Sequence, residues 1–191
     1  MNSLTWPRDA RIEEPHLLER LRAGQLEAIA EVYDHHQEAL CSFASRLLGE
    51  RQAAEDLVHD VFVVLPDVMH RYEPGTSLRA FLLGVTANRA RHHVRAAARR
   101  RRMTDRLAHE PAAPGDDPEQ HAHRKILAQR LARILDKLPL DQRTTFVLCD
   151  IEGHAASEAA EILRIPPATV RTRLFYARQK VRAHLVREKM R

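Results

Sequence analysis

Aromatic side chains are scarce in this chain and make up 5% of its 191 residues. It has only 6 glycines, too few for a β-barrel or β-sandwich that turns every ten residues or so. No stretch reaches the roughly 18 consecutive apolar residues that a membrane-crossing helix needs. Apolar residues nevertheless make up 44% of the chain, so a core is available, built from Leu, Val, Ile and Ala in packed helices. The composition predicts an all-α protein of one domain or two small ones.

Cysteine is also rare, and no targeting segment is visible. Cys41 and Cys149 stand far apart with no other sulfur nearby, which excludes a CxxC redox pair and a cysteine zinc site. We expect both to be small core residues. Residues 1–12 lack a basic stretch followed by an apolar run and a cleavage site. We therefore expect a cytoplasmic protein with no membrane insertion of its own.

The net charge of +5 conceals a strong asymmetry along the chain. Residues 1–70 carry 13 acidic and 6 basic side chains, whereas residues 89–102 contain seven arginines and no carboxylate. Residues 164–191 hold nine Lys or Arg against Glu188 alone. Basic surfaces bind polyphosphates by releasing counterions, so two such surfaces predict two contacts with one long nucleic acid. The alternative is a pair of solvated helix faces.

Apolar residues recur at intervals of three and four in the first half of the chain, which predicts helices. These helices are expected at residues 16–22, 25–47, 53–70 and 78–100. Gly49 should end the second helix, and Pro66 should bend or interrupt the third. In the loop at 72–77, Thr76 or Ser77 can cap the helix that follows.

A different composition separates this block from a second one. Residues 103–120 combine three prolines, one glycine and five acidic residues, and such a segment cannot bury enough apolar surface to order itself. The second block begins near residue 121 with an apolar stripe that Pro139 stops, and Asp141 is expected to cap the next helix. The stripe consists of Ile126, Leu127, Leu131, Ile134, Leu135 and Leu138. We therefore expect two small helical domains, 12–102 and 121–188, joined by a flexible acidic linker at 103–120.

The end of the chain has the dimensions of a helix-turn-helix, in which the second helix enters the DNA major groove. A short helix at 157–163 is followed by a turn at 164–167 and a final helix at 168–187. One stripe of the final helix is expected to be buried: Val170, Leu174, Ala177, Val181 and Leu185. The opposite face presents Arg171, Thr172, Phe175, Tyr176 and Gln179. The alternative is an ordinary helical hairpin with a solvated basic face.

This outward face has the chemistry of base recognition. Arginine can hold the O6 and N7 of guanine together, and a threonine methyl or a ring edge can contact the thymine methyl. Arg173, Arg178 and Lys180 suit phosphate oxygens.

Several motifs together resemble the extracytoplasmic-function (ECF) sigma factors, the smallest class of bacterial RNA polymerase specificity subunit. Residues 54–62 (AEDLVHDVF) are similar to the signature of the family's region 2, and residues 138–143 (LPLDQR) with 150–153 (DIEG) to the start of region 4. Residues 165–178 (IPPATVRTRLFYAR) resemble its helix-turn-helix. The resemblance covers most of the chain, and it implies region 2 at 12–102 and region 4 at 121–188.

The resemblance implies three sets of contacts and no catalysis or cofactor. The surface that docks on core RNA polymerase would comprise Asp56, Leu57, His59 and Asp60. The surface that captures a flipped base and binds the minus-ten strand would comprise Tyr72, Gly75, Thr76, Ser77, Asn88, Arg89, His92 and Arg95. The surface that binds the minus-thirty-five element would comprise Arg171, Thr172, Arg173, Phe175, Tyr176 and Arg178. The family further implies an anti-sigma factor as a regulatory partner.

Some positions depart from the family pattern. Pro66 replaces a bulky residue in the polymerase-docking helix. Ala155 and Ala156 stand where a Ser or Thr cap and an aromatic are common, a change that costs about 1 kcal/mol of capping. Tyr176 stands where a basic residue is frequent, so the resemblance does not predict which minus-thirty-five sequence this chain recognises.

Two other classes of protein compete with this interpretation. An enzyme is the first, since Glu55 and His59 are four residues apart on a helix and can share a metal, with Asp56, Asp60 and the pair His35 and His36 as further donors. No HExxH motif and no glycine-rich phosphate loop accompanies them, so we expect neither a metal nor an enzyme. The second is a stand-alone, dimeric helix-turn-helix regulator, which has no use for a base-capturing loop.

Overall fold

The computed structural model describes residues 15–73, 75–103 and 130–189, and these ranges contain helices and no strand. The helices are α1 Pro15–Arg22, α2 Leu26–Leu48, α3 Arg51–Val63, α4 Leu65–Val68, α5 Leu78–Met103, α6 130–136, α7 Leu140–Phe146, α8 Ala156–Leu163 and α9 Pro167–Lys189. The predicted all-α fold is confirmed. Residues 104–120 of the expected linker lie outside the described residues, and so do Ile126 and Leu127 of the expected apolar stripe.

Helices α1 to α5 form an N-terminal lobe in which α2, α3 and α5 pack on one another. Gly49 ends α2 in the left-handed conformation, with φ of 78°, and donates its N–H to the Ser45 carbonyl, as predicted. The predicted interruption near Pro66 is also found: α3 ends at Val63, and Pro66 lies in the first turn of α4. Proline is tolerated there because a first-turn N–H needs no helical partner.

Helices α6 to α9 form a C-terminal lobe, in which a π-helical turn, Val147–Ile151, continues α7. The expected α9 stripe is buried at Val170, Leu174, Ala177 and Val181. Leu185 is 45% exposed, so its expected burial is wrong, because none of the described helices covers that end of α9.

Asp141 does not cap a helix. Pro139 is the N-cap of α7, and the Asp141 carboxylate instead accepts hydrogen bonds from Arg91 and Arg173.

The two lobes contact each other through α5 with α8 and through α2 with α7. A cavity of about 890 Å³ opens between α5 and the C-terminal end of α8. Among the described residues no helix is long and apolar enough to cross a membrane.

Candidate nucleic-acid interface

The helix-turn-helix is formed by α8, a tight turn and α9. Arg164 ends α8 in the left-handed conformation with φ of 51°, and the N–H of Ile165 returns to the Ala160 carbonyl. Pro167 then begins α9, where its fixed φ suits the first helical position. At the start of α8 the Glu158 carboxylate accepts the Ala155 N–H at 2.8 Å. Ala155 has no side-chain oxygen to return the bond, so only half of a capping box is present.

The outer face of α9 exposes the expected base-recognition residues. Arg171, Thr172, Phe175 and Tyr176 are all exposed, and Phe175 and Tyr176 are 64% and 48% accessible. Their rings meet edge to face with centroids 5.5 Å apart. The Thr172 hydroxyl donates to the Ala168 carbonyl, which satisfies that hydroxyl within the helix. This face therefore exposes the Arg171 cation and an aromatic pair whose rings contact each other.

The two arginines assigned to phosphates are held by carboxylates. Arg173 is half-buried, and its Nη2 lies 2.9 Å from Oδ2 of Asp141. Arg178 is exposed and makes two bonds to Asp150, of 2.9 and 2.6 Å, and these bonds raise the pKa of Arg178. Both guanidinium groups are thereby held in defined orientations.

Helix α5 carries four of the eight residues assigned to the minus-ten strand, and the other four lie in the loop before it. Asn88, His92 and Arg95 are exposed and Arg89 is half-buried, and intervals of three and four place Asn88, His92 and Arg95 on one side of the helix. Ser77 caps α5 by accepting the Ala80 N–H at 3.1 Å, as predicted. Gly75 is exposed in the loop before it with φ of 94°.

Tyr72 does not have the accessibility expected of a base-stacking ring. It is 5% exposed, its hydroxyl donates to the Thr76 carbonyl, and its ring packs edge to face on Phe81 at 5.5 Å. A buried ring cannot stack on a base, so Tyr72 instead braces the loop at 72–77. This burial contradicts the expected contact of Tyr72 with a flipped base.

The middle of α3, from Asp56 to Asp60, carries the residues assigned to polymerase. Asp56, His59 and Asp60 are exposed on it. Leu57 is 4% exposed and belongs to the core, because its position on the helix turns inward, so its assignment to a polymerase contact is corrected.

The chemistry of a metal enzyme finds no support in the described part of the chain. No group of three or more His, Cys, Asp or Glu side chains converges there, and Glu55 is paired with Arg51 at 2.8 Å. Cys41 and Cys149 are half-buried free thiols, and burial raises the pKa of both, with Glu55 and Asp150 respectively adding to the effect. Both shifts favour the protonated thiol over the reactive thiolate.

Sequence reasoning missed the contacts between the lobes. The Glu152 carboxylate accepts hydrogen bonds from Arg46 at 2.8 Å and from Arg79 at 3.1 Å. These arginines lie 106 and 73 residues from Glu152 along the chain. Nothing in a local pattern links residues so distant, so only the packed chain brings them together.

Comparisons with known proteins give a consistent result. Residues 32–100 match the family model for Sigma-70 region 2, and residues 128–181 match the one for Sigma-70, region 4. The chain is 31% identical to the RNA polymerase sigma factor CarQ of Myxococcus xanthus over 86% of this chain and 93% of that relative. It is 33% identical to the ECF RNA polymerase sigma factor SigE of Mycolicibacterium smegmatis over 82% of this chain, a match that spans 61% of that relative.

Solved structures show the same similarity. A structure of CnrH in complex with the cytosolic domain of CnrY matches 89% of this chain and 95% of its own, with a TM-score of 0.63 and 26% identity. The sigma factor RpoE in complex with the anti-sigma factor NepR from Bartonella quintana matches 80% and 97%, with a TM-score of 0.60 and 26% identity. The chain belongs to the ECF group of the sigma-70 family of RNA polymerase sigma factors.

Proposed function

We propose that this protein binds core RNA polymerase, recognises the minus-thirty-five and minus-ten elements of a promoter and directs the start of transcription in the cytoplasm. The observation that carries the proposal is the pair of matches to sigma region 2 and region 4. They occur in chain order on two helical lobes, each of which exposes a basic face. In this role the protein is a specificity subunit and not an enzyme.

The division of labour follows from the two lobes. Residues 12–102 would dock on polymerase and bind the minus-ten strand, 103–120 would act as the linker, and 121–188 would bind the minus-thirty-five element. The exposed carboxylates Asp56 and Asp60 suit basic residues on polymerase. Extruding a base costs a few kcal/mol, and the loop at 75–77 with Asn88 offers small polar groups that can hydrogen-bond to it.

The α9 face would supply promoter specificity. Arg171 suits guanine, while Thr172, Phe175 and Tyr176 suit thymine methyl groups. Arg173 and Arg178 would bind phosphates once their carboxylate partners release or share them.

An anti-sigma factor is the proposed regulator. The similar structures of CnrH and of RpoE are complexes, and RpoE is bound there to the anti-sigma factor NepR. A partner that covers the basic faces would keep this chain from DNA.

Run-off transcription with core RNA polymerase on a library of promoters tests the proposal. We expect specific transcripts from a subset of the promoters, namely those that share one minus-thirty-five element and one minus-ten element. A stand-alone dimeric regulator would give no product, and that result would overturn the proposal.

Charge reversal tests the docking surface separately. Asp60→Lys should reduce the fraction of protein that assembles with core polymerase about tenfold, whereas Glu38→Lys, an exposed residue of α2, should not. Equal assembly by both variants would remove Asp60 from the docking surface.

A further inference from the structure

Arg178 of α9 is held along one edge of its guanidinium group by a carboxylate. Its Nε lies 2.9 Å from Oδ2 of Asp150, and its Nη2 lies 2.6 Å from Oδ1 of the same residue. Two parallel N–H···O bonds fix the plane of a guanidinium group. The group therefore has one defined orientation, although the Arg178 side chain is 59% exposed.

The π-helical turn after α7 supplies this carboxylate. The Glu152 N–H donates to the Val147 carbonyl at 2.9 Å, which is the hydrogen bond of the wider π-helix. Val147 and Leu148 are fully buried in this turn, whereas the Asp150 side chain reaches α9, to a residue 28 positions further along the chain. Single π-helical turns are frequent at functional sites, and this one places an acid beside the proposed minus-thirty-five surface.

The other edge of the Arg178 guanidinium is left open. Arginine carries five N–H donors, and Asp150 accepts two of them, one from Nε and one from Nη2. The remaining three belong to Nη1 and Nη2, and within residues 15–73, 75–103 and 130–189 they have no acceptor. The edge formed by Nη1 and Nη2 has the fork geometry that binds two phosphate oxygens.

Arg178 borders the proposed minus-thirty-five surface. It lines a groove of about 450 Å³ together with Arg171, Phe175, Gln179 and Arg182. Positions 171, 175, 178 and 182 recur at intervals of four and three, so they share one side of α9. A duplex that contacts Arg171 and Phe175 would therefore also bring a phosphate within reach of Arg178.

A carboxylate beside a phosphate-binding arginine has two opposite effects. Its charge repels the phosphate and offsets part of the attraction of the cation, but salt weakens this repulsion, with a Debye length of about 10 Å at 0.1 M. The second effect is entropic: phosphate binding fixes the rotamers of a free arginine at a cost, and a side chain that is already fixed avoids most of that cost. Because Asp150 lies on the edge away from Nη1, the cation stands between the two anions, and the second effect prevails.

We propose that Asp150 is a positioning residue for DNA binding: its carboxylate holds Arg178 so that the edge formed by Nη1 and Nη2 receives a backbone phosphate beside the minus-thirty-five element. Loss of this carboxylate weakens DNA binding, although it removes a negative charge from the neighbourhood of the DNA. The inference rests on the proposed function for the duplex that α9 binds, and it adds a residue that touches no DNA itself.

Asp150→Asn tests the carboxylate, since it removes the charge and keeps the size of the side chain. The asparagine oxygen can accept one hydrogen bond from Arg178 where the carboxylate accepts two. Glu161→Gln is the matched control, because Glu161 is an exposed residue of α8 in the same lobe and has no ion pair in the described part of the chain. If Asp150→Asn does not fold, as judged by circular dichroism, Asp150→Ser replaces it in every measurement.

Binding of the full chain to a minus-thirty-five duplex, taken from a promoter selected in the transcription library, is the first measurement. At about 0.1 M salt we expect Asp150→Asn to bind about 3- to 10-fold more weakly than the wild type, and Glu161→Gln to bind at least as tightly as the wild type. Unchanged or tighter binding by Asp150→Asn would overturn the proposal.

A double-mutant cycle shows whether Asp150 acts through Arg178. When Arg178→Ala is already present, adding Asp150→Asn should not weaken binding further and should strengthen it slightly, because only the repulsion of the carboxylate is left to lose. An equal loss from Asp150→Asn with and without Arg178 would refute the positioning role, since a structural effect on the lobe would not depend on that arginine.

Nuclear magnetic resonance of the arginine side chains tests the arrangement without DNA. A guanidinium Nε–H that is bound to a carboxylate exchanges slowly with water, whereas a free one exchanges rapidly. The Arg178 signal, assigned by its loss in Arg178→Ala, should be sharp at neutral pH in the wild type and in Glu161→Gln and broadened in Asp150→Asn. An equally sharp signal in Asp150→Asn would show that Asp150 does not hold the guanidinium.

A duplex of unrelated sequence separates this inference from the function on which it rests. Phosphates carry no sequence information, so Asp150→Asn should lose the same factor on this duplex. If the wild type binds both duplexes alike and gives no promoter-dependent transcript with core polymerase, the proposed function fails, while the cycle still judges Asp150. A wild type that binds neither duplex would refute both.

Discussion

Arg143 is a buried cation that joins three parts of the chain. Its Nη1 donates to the Leu47 carbonyl at 2.7 Å and to Asp136 at 2.9 Å, and its Nη2 donates to the Leu138 carbonyl at 3.4 Å. Burial lowers the pKa of its guanidinium, and the Asp136 carboxylate opposes that shift. The sequence contains this arginine in a region 4 motif, but its long-range partner in α2 is visible only in the fold.

Replacing Arg143 should therefore destabilise the protein. Arg143→Met keeps much of the side-chain volume but leaves the Leu47 and Leu138 carbonyls without their donor, at an expected cost of about 1–3 kcal/mol in unfolding free energy. Asp136→Asn should cost only about 0–1 kcal/mol, since the Asp136 side chain is 49% exposed. Urea denaturation measures both, and equal losses would show that the carbonyl contacts contribute nothing.

Tyr176 and Arg178 should differ in how their loss affects DNA binding. Tyr176 is exposed, and the proposed function assigns its ring to bases. Tyr176→Ala should therefore weaken binding to the preferred minus-thirty-five sequence about tenfold, a change of ~1.4 kcal/mol, and binding to other sequences less. Arg178→Ala should weaken all sequences about equally, because phosphates carry no sequence information. Competition binding across a set of duplexes measures this difference. A uniform loss for Tyr176→Ala would remove its assigned role.

Helix boundaries show how far local signals reach. The glycine stop at Gly49, the Ser77 cap and the break near Pro66 were all predictable, because each depends on the backbone chemistry of one or two residues. The Asp141 cap was wrong for a tertiary reason: the carboxylate is drawn to Arg91 and Arg173. A cap is worth about 1 kcal/mol, so two ion pairs can override it.

The start of α8 offers a gain in stability. Ala155 is exposed with φ of −62° and ψ of 154°, the extended backbone of an N-cap. Ala155→Ser would add the hydroxyl that completes the capping box with Glu158, and we expect about 1 kcal/mol of added stability. Thermal denaturation measures the increase, with Ala155→Gly as the control that lacks the hydroxyl. No difference between serine and glycine would contradict this explanation.

At the scale of the whole molecule, His154 makes the contact between the lobes sensitive to pH. Its Nδ1 lies 3.6 Å from Glu158, and it faces Glu152 in its own lobe and Arg79 of α5. Burial, followed by the charge of Arg79, lowers the pKa of His154 from 6.5, and both glutamates oppose that shift. Separation of the lobes would remove the charge of Arg79 from His154, so an open form would bind a proton more readily.

Acid should therefore open the molecule. Above about pH 6.5 His154 is mainly neutral in both forms, so it does not change the free-energy difference between them. As the pH falls below this value, the closed form loses stability relative to the open form, by up to about 1.4 kcal/mol for each unit by which the pKa is lowered. Small-angle scattering between pH 7.5 and 5.5, above the titration of ordinary carboxylates, should show a growing radius of gyration. His154→Gln should abolish the response, and an unchanged response in that variant would assign it to another group.

The residues of the proposed interfaces were predictable in part, and the two wrong assignments, Tyr72 and Leu57, show why. The outward positions Arg171, Thr172, Phe175 and Tyr176 follow from helical spacing alone, since a long amphipathic helix has one buried stripe. The predicted contact of Tyr72 with a base was wrong because a loop has no such periodicity. The burial of Tyr72 depends instead on the neighbouring Phe81 of α5. Leu57 was placed by resemblance to a motif, which does not distinguish core positions from contact positions.

The amino-acid sequence by itself determined the all-α fold, the Gly49 stop, the Ser77 cap, the two basic faces and the resemblance to the sigma-70 family, because each of these depends on residue type and short-range spacing. Only the tertiary structure decided that Glu152 joins Arg46 to Arg79, that Gly84 admits the Ile162 carbonyl and that the end of α8 shares a cavity with Asn88 of α5. These contacts join residues from 73 to 106 positions apart. The physical reason is that such contacts arise from how whole helices pack, and no local pattern encodes the pair of surfaces that meet.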